Sequence, residues 1–429
     1  MDILDIIEKK KNGLKLSKEE IQFFIRGVCD GSIRDFQTTS FLMAICLKGI
    51  DFEETFNLTM CMAQSGEMLN LDDVGDCVDK HSTGGVSDTT TLVVVPTLAS
   101  LGVKVAKMSG RSLGFTGGTA DKMEVFQGYQ TEISTQEFKN LIKKNGASIV
   151  SPSANFALAD KIIYKLRSES GTVEDISLIA SSIMSKKLAS GTKIIVIDCK
   201  YGNGAFMKTL EDSKALAKLM VEIGKKAGVK VCAVISSMDQ PLTEYVGNNL
   251  EVYSSIKVLN GEENNLFELS SFISAKALVL ASQAKDFEIA QEMAKKAIKS
   301  GIAKQKLKEI VLAQGGKIDV IDNPELLLPK NNKFEIYASK SGFVEHIDTS
   351  KLGKISHDLQ KVNGQIVRQD DVGLILNVKL GDYVKCGDAI CKCFYNQLDD
   401  INEIKIMLEN CFAFGDKKIE TKLIEGVIE

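Results

Sequence analysis

The chain has 429 residues and a net charge of −4, with a pI near 5.7. That length supports two or three domains with sizeable cores. The charge gives no reason to expect a nucleic-acid partner, so any affinity for anions must come from local clustering of cations. Ten cysteines are scattered, with only Cys391 and Cys393 close together, and they read as reduced thiols rather than zinc ligands or disulfides. The N-terminal MDILDIIEKKKNG lacks the apolar core of a leader, and no stretch approaches the roughly 20 apolar residues of a membrane span. The expectation is a cytoplasmic protein without a membrane partner.

Residues 1–65 read as short helices. Ser17 and Glu20 form a capping-box pattern ahead of Ile21, Phe24 and Ile25. Phe41, Leu42, Ile45 and Cys46 recur at helical spacing, and Met60, Cys61 and Met62 are read as a packing face. From about residue 70 the pattern alternates. Val103–Met108, Thr192–Cys199 and Val229–Ser236 are β-branched runs of the buried-strand type, and 213–228 has helical periodicity between the last two. The alternation predicts an α/β domain over 70–158 and 190–330 with a mostly parallel sheet. Ala159–Ala189 is a helical insertion that places Ser182 and Lys186 four apart on one face and ends the run KIIYKLR at Arg167. Pro324 and Pro329 mark a boundary, beyond which 334–429 is β-rich with Gly-Asp turns. The stretch LGDYVKCGDAI is similar in turn pattern to lipoyl and biotinyl carriers but lacks their modified lysine. His346 and His357 are read as structural.

The chemistry concentrates between Asp79 and Phe126, in DKHSTGGVSDTTT and KMSGRSLGFTGGTADKMEVF. Gly84 and Gly85 let the first backbone segment turn tightly and aim its N–H groups at one point. Asp88 to Thr91 are placed to cap a following helix, whose N-terminal end favours an anion. Lys80 adds a full positive charge, and Ser82 and Thr91 add hydroxyl donors. His81 can change charge near neutral pH. In the second segment Lys107, Met108 and Ser109 end a predicted strand. Gly110, Gly114, Gly117 and Gly118 keep the chain close to what it wraps, and Thr119 and Asp121 precede a short helix. Arg111 has two open roles: holding an anion, or bracing the loop against Asp121 or Glu124. A single TGG is a common turn. Two such loops with Lys-His-Ser and Lys-Met-Ser ahead of them point to a phosphate site.

These two segments resemble the signature of the pyrimidine-nucleoside phosphorylases. YKLRSESGTV, ASSIMSKKLA and YGNGAFMK resemble the same family in the same order. Distant relatives, the anthranilate phosphoribosyltransferases, share a similar first glycine loop but not the later set. The resemblance implies a helical domain 1–65 that takes in the insertion 159–189, and a large α/β domain with a mostly parallel sheet. A small C-terminal α+β domain completes the expected fold. It also implies a homodimer contact through the helical domain. The implied reaction is phosphorolysis of uridine, thymidine or deoxyuridine to the base and a sugar 1-phosphate.

In that reaction Lys80, Ser82, Thr91, Lys107, Met108, Ser109 and Thr119 would hold phosphate. Arg167, Ser182 and Lys186 would hold the base, with Phe206 as a wall. His81, Arg167 and Lys186 would be catalytic. No organic cofactor is implied. A potassium ion is, at Ser87, Thr89, Leu242, Tyr245 and Ser254. Ser87 stands where relatives often have Gly, and Ser254 where some have an acid. Ser168-Glu169-Ser170 replaces the common Asp-Val-Thr after Arg167. Lys107 resembles the broad-specificity bacterial enzymes rather than strict thymidine phosphorylases. Two rivals remain: a phosphoribosyltransferase of the same fold, which would need paired acids for magnesium pyrophosphate, and a non-catalytic nucleoside binder.

Overall fold

The computed structural model describes residues 1–111, 117–153, 155–362, 365–398 and 400–429. Helices α1 (Ile3–Lys11), α2 (Lys18–Asp30), α3 (Asp35–Lys48) and α4 (Phe52–Ala63) form the N-terminal bundle. The capping box at Ser17 is present, with the Glu20 N–H on the Ser17 hydroxyl and the Ser17 N–H on Glu20.

The chain then builds β1 (Cys77–Ser82), α5 (Thr90–Ser100), β2 (Lys104–Met108), α6 (Thr119–Met123), α7 (Thr135–Asn145) and β3 (Ala147–Val150). Next come α8 (Leu158–Ser170), α9 (Ile176–Ala189), β4 (Ile194–Tyr201), α10 (Leu210–Lys226) and β5 (Lys230–Ser237). The sheet order is β5-β4-β1-β2-β3, all parallel, and the C-terminal strand Ile424–Ile428 adds an antiparallel edge beside β5. This is the expected mostly parallel sheet. The three runs read as strands are β2, β4 and β5, shifted by a residue or two. Missing from the reading were β1 and β3. DKHS, ahead of the first glycine loop, is the end of a central strand, with Lys80 beside Val196 and Ser82 beside Asp198.

Helices α8 and α9 leave the sheet and join the bundle. Ala159, Ile163 and Leu178 share one core with Ile21, Phe24, Phe41 and Leu58. Residues after 330 form a three-stranded sheet and, with Tyr245–Val246, a four-stranded one, together with helices Thr349–Asp358 and Ile401–Glu409. Both Gly-Asp turns are there. Gly381 and Gly387 have φ of 85° and 90°, and Asp382 and Asp388 accept the N–H groups of Lys379 and Lys385. The C-terminal layer is tied to the α/β layer. Tyr245–Val246 pairs with Gly373–Leu376, and the Thr349 N–H donates to Asn203 Oδ1 at 2.7 Å. Among the described residues no helix is long and apolar enough to cross a membrane.

Candidate active site

Parallel strands place their carboxyl ends on one edge of the sheet, and ligands bind beyond that edge. β1 ends there in Lys80-His81-Ser82 and β2 in Lys107-Met108. Beside the same edge lie residues 83–89 ahead of α5, and, of the next connection, residues 109–111 and 117–118. Across a gap, α8 presents Asp160, Tyr164 and Arg167, and α9 presents Ser182, Lys186 and Lys187. Together they line a cavity of about 520 Å³ that His81, Ser82, Thr91, Lys107, Met108, Ser109 and Thr119 share with Arg167, Ser182, Lys186 and Phe206.

The sheet side is a network of buried charge. Lys187 Nζ is 2.6 Å from Asp79 Oδ2, and Lys107 Nζ is 3.7 Å from Asp79 Oδ1. Lys107 also donates to the Lys80 carbonyl at 2.7 Å. Lys80 is 1 % exposed and does not line the cavity. The sequence reading put its ammonium on the anion, whereas here it lies one layer below and donates to Thr90 Oγ1. Thr90 and Ser82 both give their hydroxyl protons to Asp88. Lys200 pairs with Asp198 at 2.8 Å and stands 3.8 Å from Asp88.

Burial works against the Asp88 carboxylate, but Lys200, Lys80 and the two hydroxyls outweigh it and hold its pKa well below the usual range. Burial and the neighbouring Lys187 push Lys107 down to about 7, against the pull of Asp79. His81 is desolvated and faces Lys187, Lys107, Lys80 and Lys186, so its pKa falls well below the ordinary histidine value. The imidazole is neutral at neutral pH.

Gly84 has φ of 98°, in the left-handed region. A Cβ on Gly85 would sit 2.6 Å from Met238 Cε and 2.9 Å from Lys200 Cδ, so the loop is packed onto the buried lysine beneath it. Asp88 does not cap α5 through its later amides. It accepts the Thr90 N–H at 3.2 Å, at the first residue of the helix.

On the helical side the Arg167 guanidinium is 1 % exposed and donates to three backbone carbonyls, of Thr172, Leu178 and Val173. Guanidinium has five N–H groups, so these three bonds leave two, on a residue that lines the cavity. Lys186 Nζ pairs with Asp160 Oδ2 at 2.6 Å and donates to Ser182 Oγ at 3.3 Å, above the Tyr164 ring. The i, i+4 placement of Ser182 and Lys186 is therefore a direct contact.

Of the two roles left open for Arg111, bracing is what the structure contains. It pairs with Glu124 at 2.7 Å and Asp121 at 3.3 Å. Arg368, from the C-terminal layer, binds the same Glu124. Gly114 lies outside the described residues.

The proposed cation ligands lie behind the first loop. Ser87 has φ of 60°, the conformation glycine adopts freely, and its hydroxyl is 2.7 Å from Thr243 Oγ1. Leu242 donates its N–H to the Val86 carbonyl, and Tyr245 pairs with Ile375. Thr89 Oγ1 and Ser254 Oγ are buried without a hydrogen-bond partner. Glu251 is engaged by Lys122 at 2.7 Å. Among the described residues no three His, Cys, Asp or Glu side chains cluster as a metal site.

The cavity residues Asp160, Tyr164 and Lys187 escaped the sequence reading, as did the buried charges beneath, Asp79 and the Asp198–Lys200 pair. The available signal was charge inside apolar runs, in CVDKHS and IIVIDCKY, which in a central strand demands partners.

Residues 74–304 match the family described as "Glycosyl transferase family, a/b domain", and residues 4–66 match "Glycosyl transferase family, helical bundle domain". A pyrimidine-nucleoside phosphorylase of Staphylococcus haemolyticus is 46% identical over 434 residues, covering 100% of both chains. The chain belongs to the pyrimidine-nucleoside phosphorylase family. One from Staphylococcus aureus is 44% identical over the same span. Among solved structures, an anthranilate phosphoribosyltransferase from Thermus thermophilus superposes with a TM-score of 0.61 at 17% identity, over 73% of this chain and 99% of that one. That likeness carries the fold alone. The family membership makes the chain a pentosyl-transferring enzyme.

Proposed function

We propose that the enzyme phosphorolyses uridine, thymidine and deoxyuridine to the free base and the (deoxy)ribose 1-phosphate. The observation that carries this reading is the shared cavity: an anion cradle on the sheet side faces a guanidinium and an ammonium on the helical side. Phosphate lies against Ser82, Thr91, Lys107, Ser109, Thr119 and the Met108 backbone, with Lys80 supplying charge from below. One phosphate oxygen forms the new bond to the anomeric carbon. The bond to the base breaks with its electron pair leaving on the heterocycle. The proton of hydrogen phosphate balances the reaction, since the products are a dianionic ester and a neutral base.

Arg167 and Lys186 stabilise negative charge gathering on the base carbonyls, and Ser182 hydrogen-bonds its edge. They act more strongly on the transition state than on the bound nucleoside, which is what raises a rate. Phe206 walls the base. His81, held neutral by the surrounding lysines, orients the nucleoside rather than serving as a standing acid. The buried Lys107 favours the broad-specificity reading over strict thymidine use.

The residues around Ser87 fit a monovalent cation. Thr89 Oγ1 and Ser254 Oγ are orphaned hydroxyl oxygens that would hold it together with Ser87 and the carbonyls of Leu242 and Tyr245, and the acid Glu251 is already neutralised by Lys122. Potassium there would support the first loop. Phe36, Met43 and Leu47 form an exposed apolar line on α3, which supports a homodimer through the bundle.

The phosphoribosyltransferase reading is weaker, because Glu124 is committed to Arg111 and Arg368. One assay decides. Ultraviolet absorbance of uridine and of thymidine is followed with phosphate and then with pyrophosphate. Base release with phosphate is expected. Release only with pyrophosphate selects the rival, and release with neither selects a nucleoside binder.

A further inference from the structure

Ser82 lies on the cavity wall with one hydroxyl proton to give and two lone pairs to offer. It gives the proton to Asp88 Oδ2, and the Gly84 N–H, 3.2 Å away, takes one lone pair. What remains is a lone pair. Asp88 is fixed from behind. Its Oδ1 accepts the Thr90 hydroxyl at 2.6 Å and the Thr90 N–H at 3.2 Å. The Lys200 ammonium stands 3.8 Å from Oδ2 and is itself anchored on Asp198 at 2.8 Å. A carboxylate in that setting has no proton to return, so the Ser82 hydroxyl cannot be turned round without losing its partner.

The cradle is therefore not made of donors alone. Lys107, Thr91, Ser109 and Thr119 can donate, but Ser82 accepts. An acceptor repels an anion oxygen that carries no hydrogen and binds one that does. Hydrogen phosphate has a P–O–H group, whereas sulfate, of the same charge and shape, has none.

We propose that Ser82, its own proton committed to Asp88, accepts the hydrogen of the incoming anion, and that this pair selects hydrogen phosphate and hydrogen arsenate over unprotonated dianions such as sulfate. Asp88 is on this account a positioning residue. The proposal rests on reading the cavity as the phosphate site.

The test is calorimetric titration of the full chain, without nucleoside, with phosphate, arsenate, sulfate and monofluorophosphate. The last is a dianion with fluorine in place of the hydroxyl. Phosphate and arsenate are expected to bind about a hundredfold or more tighter than sulfate and fluorophosphate, since a site built to pair a hydroxyl rejects analogues lacking it. Binding of all four within about threefold of one another would overturn the proposal.

In Asp88→Asn the amide NH₂ replaces Oδ2, donates to Ser82 and releases the serine proton into the cavity. Sulfate should then gain about tenfold while phosphate weakens. Equal weakening of all four anions by Asp88→Asn would also overturn it. If that variant does not fold, the four-anion comparison on the unaltered protein decides alone. A protein that discriminates the anions yet releases no base from uridine or thymidine keeps this proposal and removes the phosphorylase reading. One that phosphorolyses nucleosides without discriminating does the reverse.

Discussion

The lysines around the cavity fall into two opposite physical states. On the sheet side Lys80, Lys107 and Lys200, with Lys187 reaching in from α9, are each less than 5 % exposed, and the partners Asp79 and Asp198 are fully buried. On the helical side Lys186 keeps 38 % of its side chain in solvent and leans on one carboxylate, Asp160. Charge taken fully from water must be paired or it destabilises the fold. Charge at a rim is screened and can move. The sheet wall is pre-organised, which suits a small anion that must be stripped of water and aimed. On the helical side Arg167 is fixed by its three carbonyls, whereas Lys186 can follow a base as it gains charge and leaves.

That contrast is broken most directly by removing one carboxylate from each wall. Asp79→Ala strands two buried ammonium groups and should cost about 3–5 kcal/mol of stability, read as a large fall in Tm. Asp160→Ala frees a half-exposed lysine and should cost less than about 1 kcal/mol. Similar losses at both sites would mean the walls do not differ in this way.

Activity should show the reverse. Lys186→Ala removes a cation that matters only once the base is charged. It should lower kcat/KM about a hundredfold or more with Tm nearly unchanged. A KM effect alone, with kcat intact, would mean that Lys186 binds the ground state only.

The two walls also differed in how far the sequence disclosed them. On the helical wall only the local contacts were legible, while the roles of Arg167, Ser182 and Lys186 came from family resemblance. Ser182 and Lys186 are one turn apart, and Arg167 binds carbonyls five to eleven residues away. The glycine loops and the strands β2, β4 and β5 were legible for the same reason, since composition within a short window fixes them. β1 was not. Asp79, Lys80 and His81 have no strand-like pattern, and they sit in a central strand only because Lys187, 108 residues on, supplies the counter-charge to Asp79. The Asp88–Lys200–Asp198 chain was hidden likewise, as its members meet only across paired strands. The packing of α8 and α9 into the bundle came from family resemblance, and nothing in their own periodicity required it.

His81 sharpens the comparison from its position between the walls. As a neutral imidazole it should tolerate His81→Asn with a loss of roughly tenfold, the low end for a group that only orients or shares a proton. At saturating phosphate kcat should show no fall as pH rises through the ordinary histidine range. A clear fall there, abolished by His81→Asn, would restore the acid role.

The smallest expected effect concerns Lys107, where the sheet wall's burial becomes a pH dependence. Burial and Lys187 set its pKa near 7, so in the empty cavity it loses its proton as pH rises past that value. The bound anion needs the charged form. Binding must therefore take up a proton above about pH 7, and phosphate affinity should fall as pH rises, by up to tenfold per unit. Below that pH the lysine is already charged and the dependence on this group vanishes. Phosphate titrates in the same region, so the decisive measurement is the difference between the native enzyme and Lys107→Arg, whose guanidinium does not deprotonate. The arginine variant should keep only the pH dependence of phosphate itself. Parallel profiles for the two proteins would mean that Lys107 stays charged throughout, and that Asp79 outweighs the burial and repulsion acting on it.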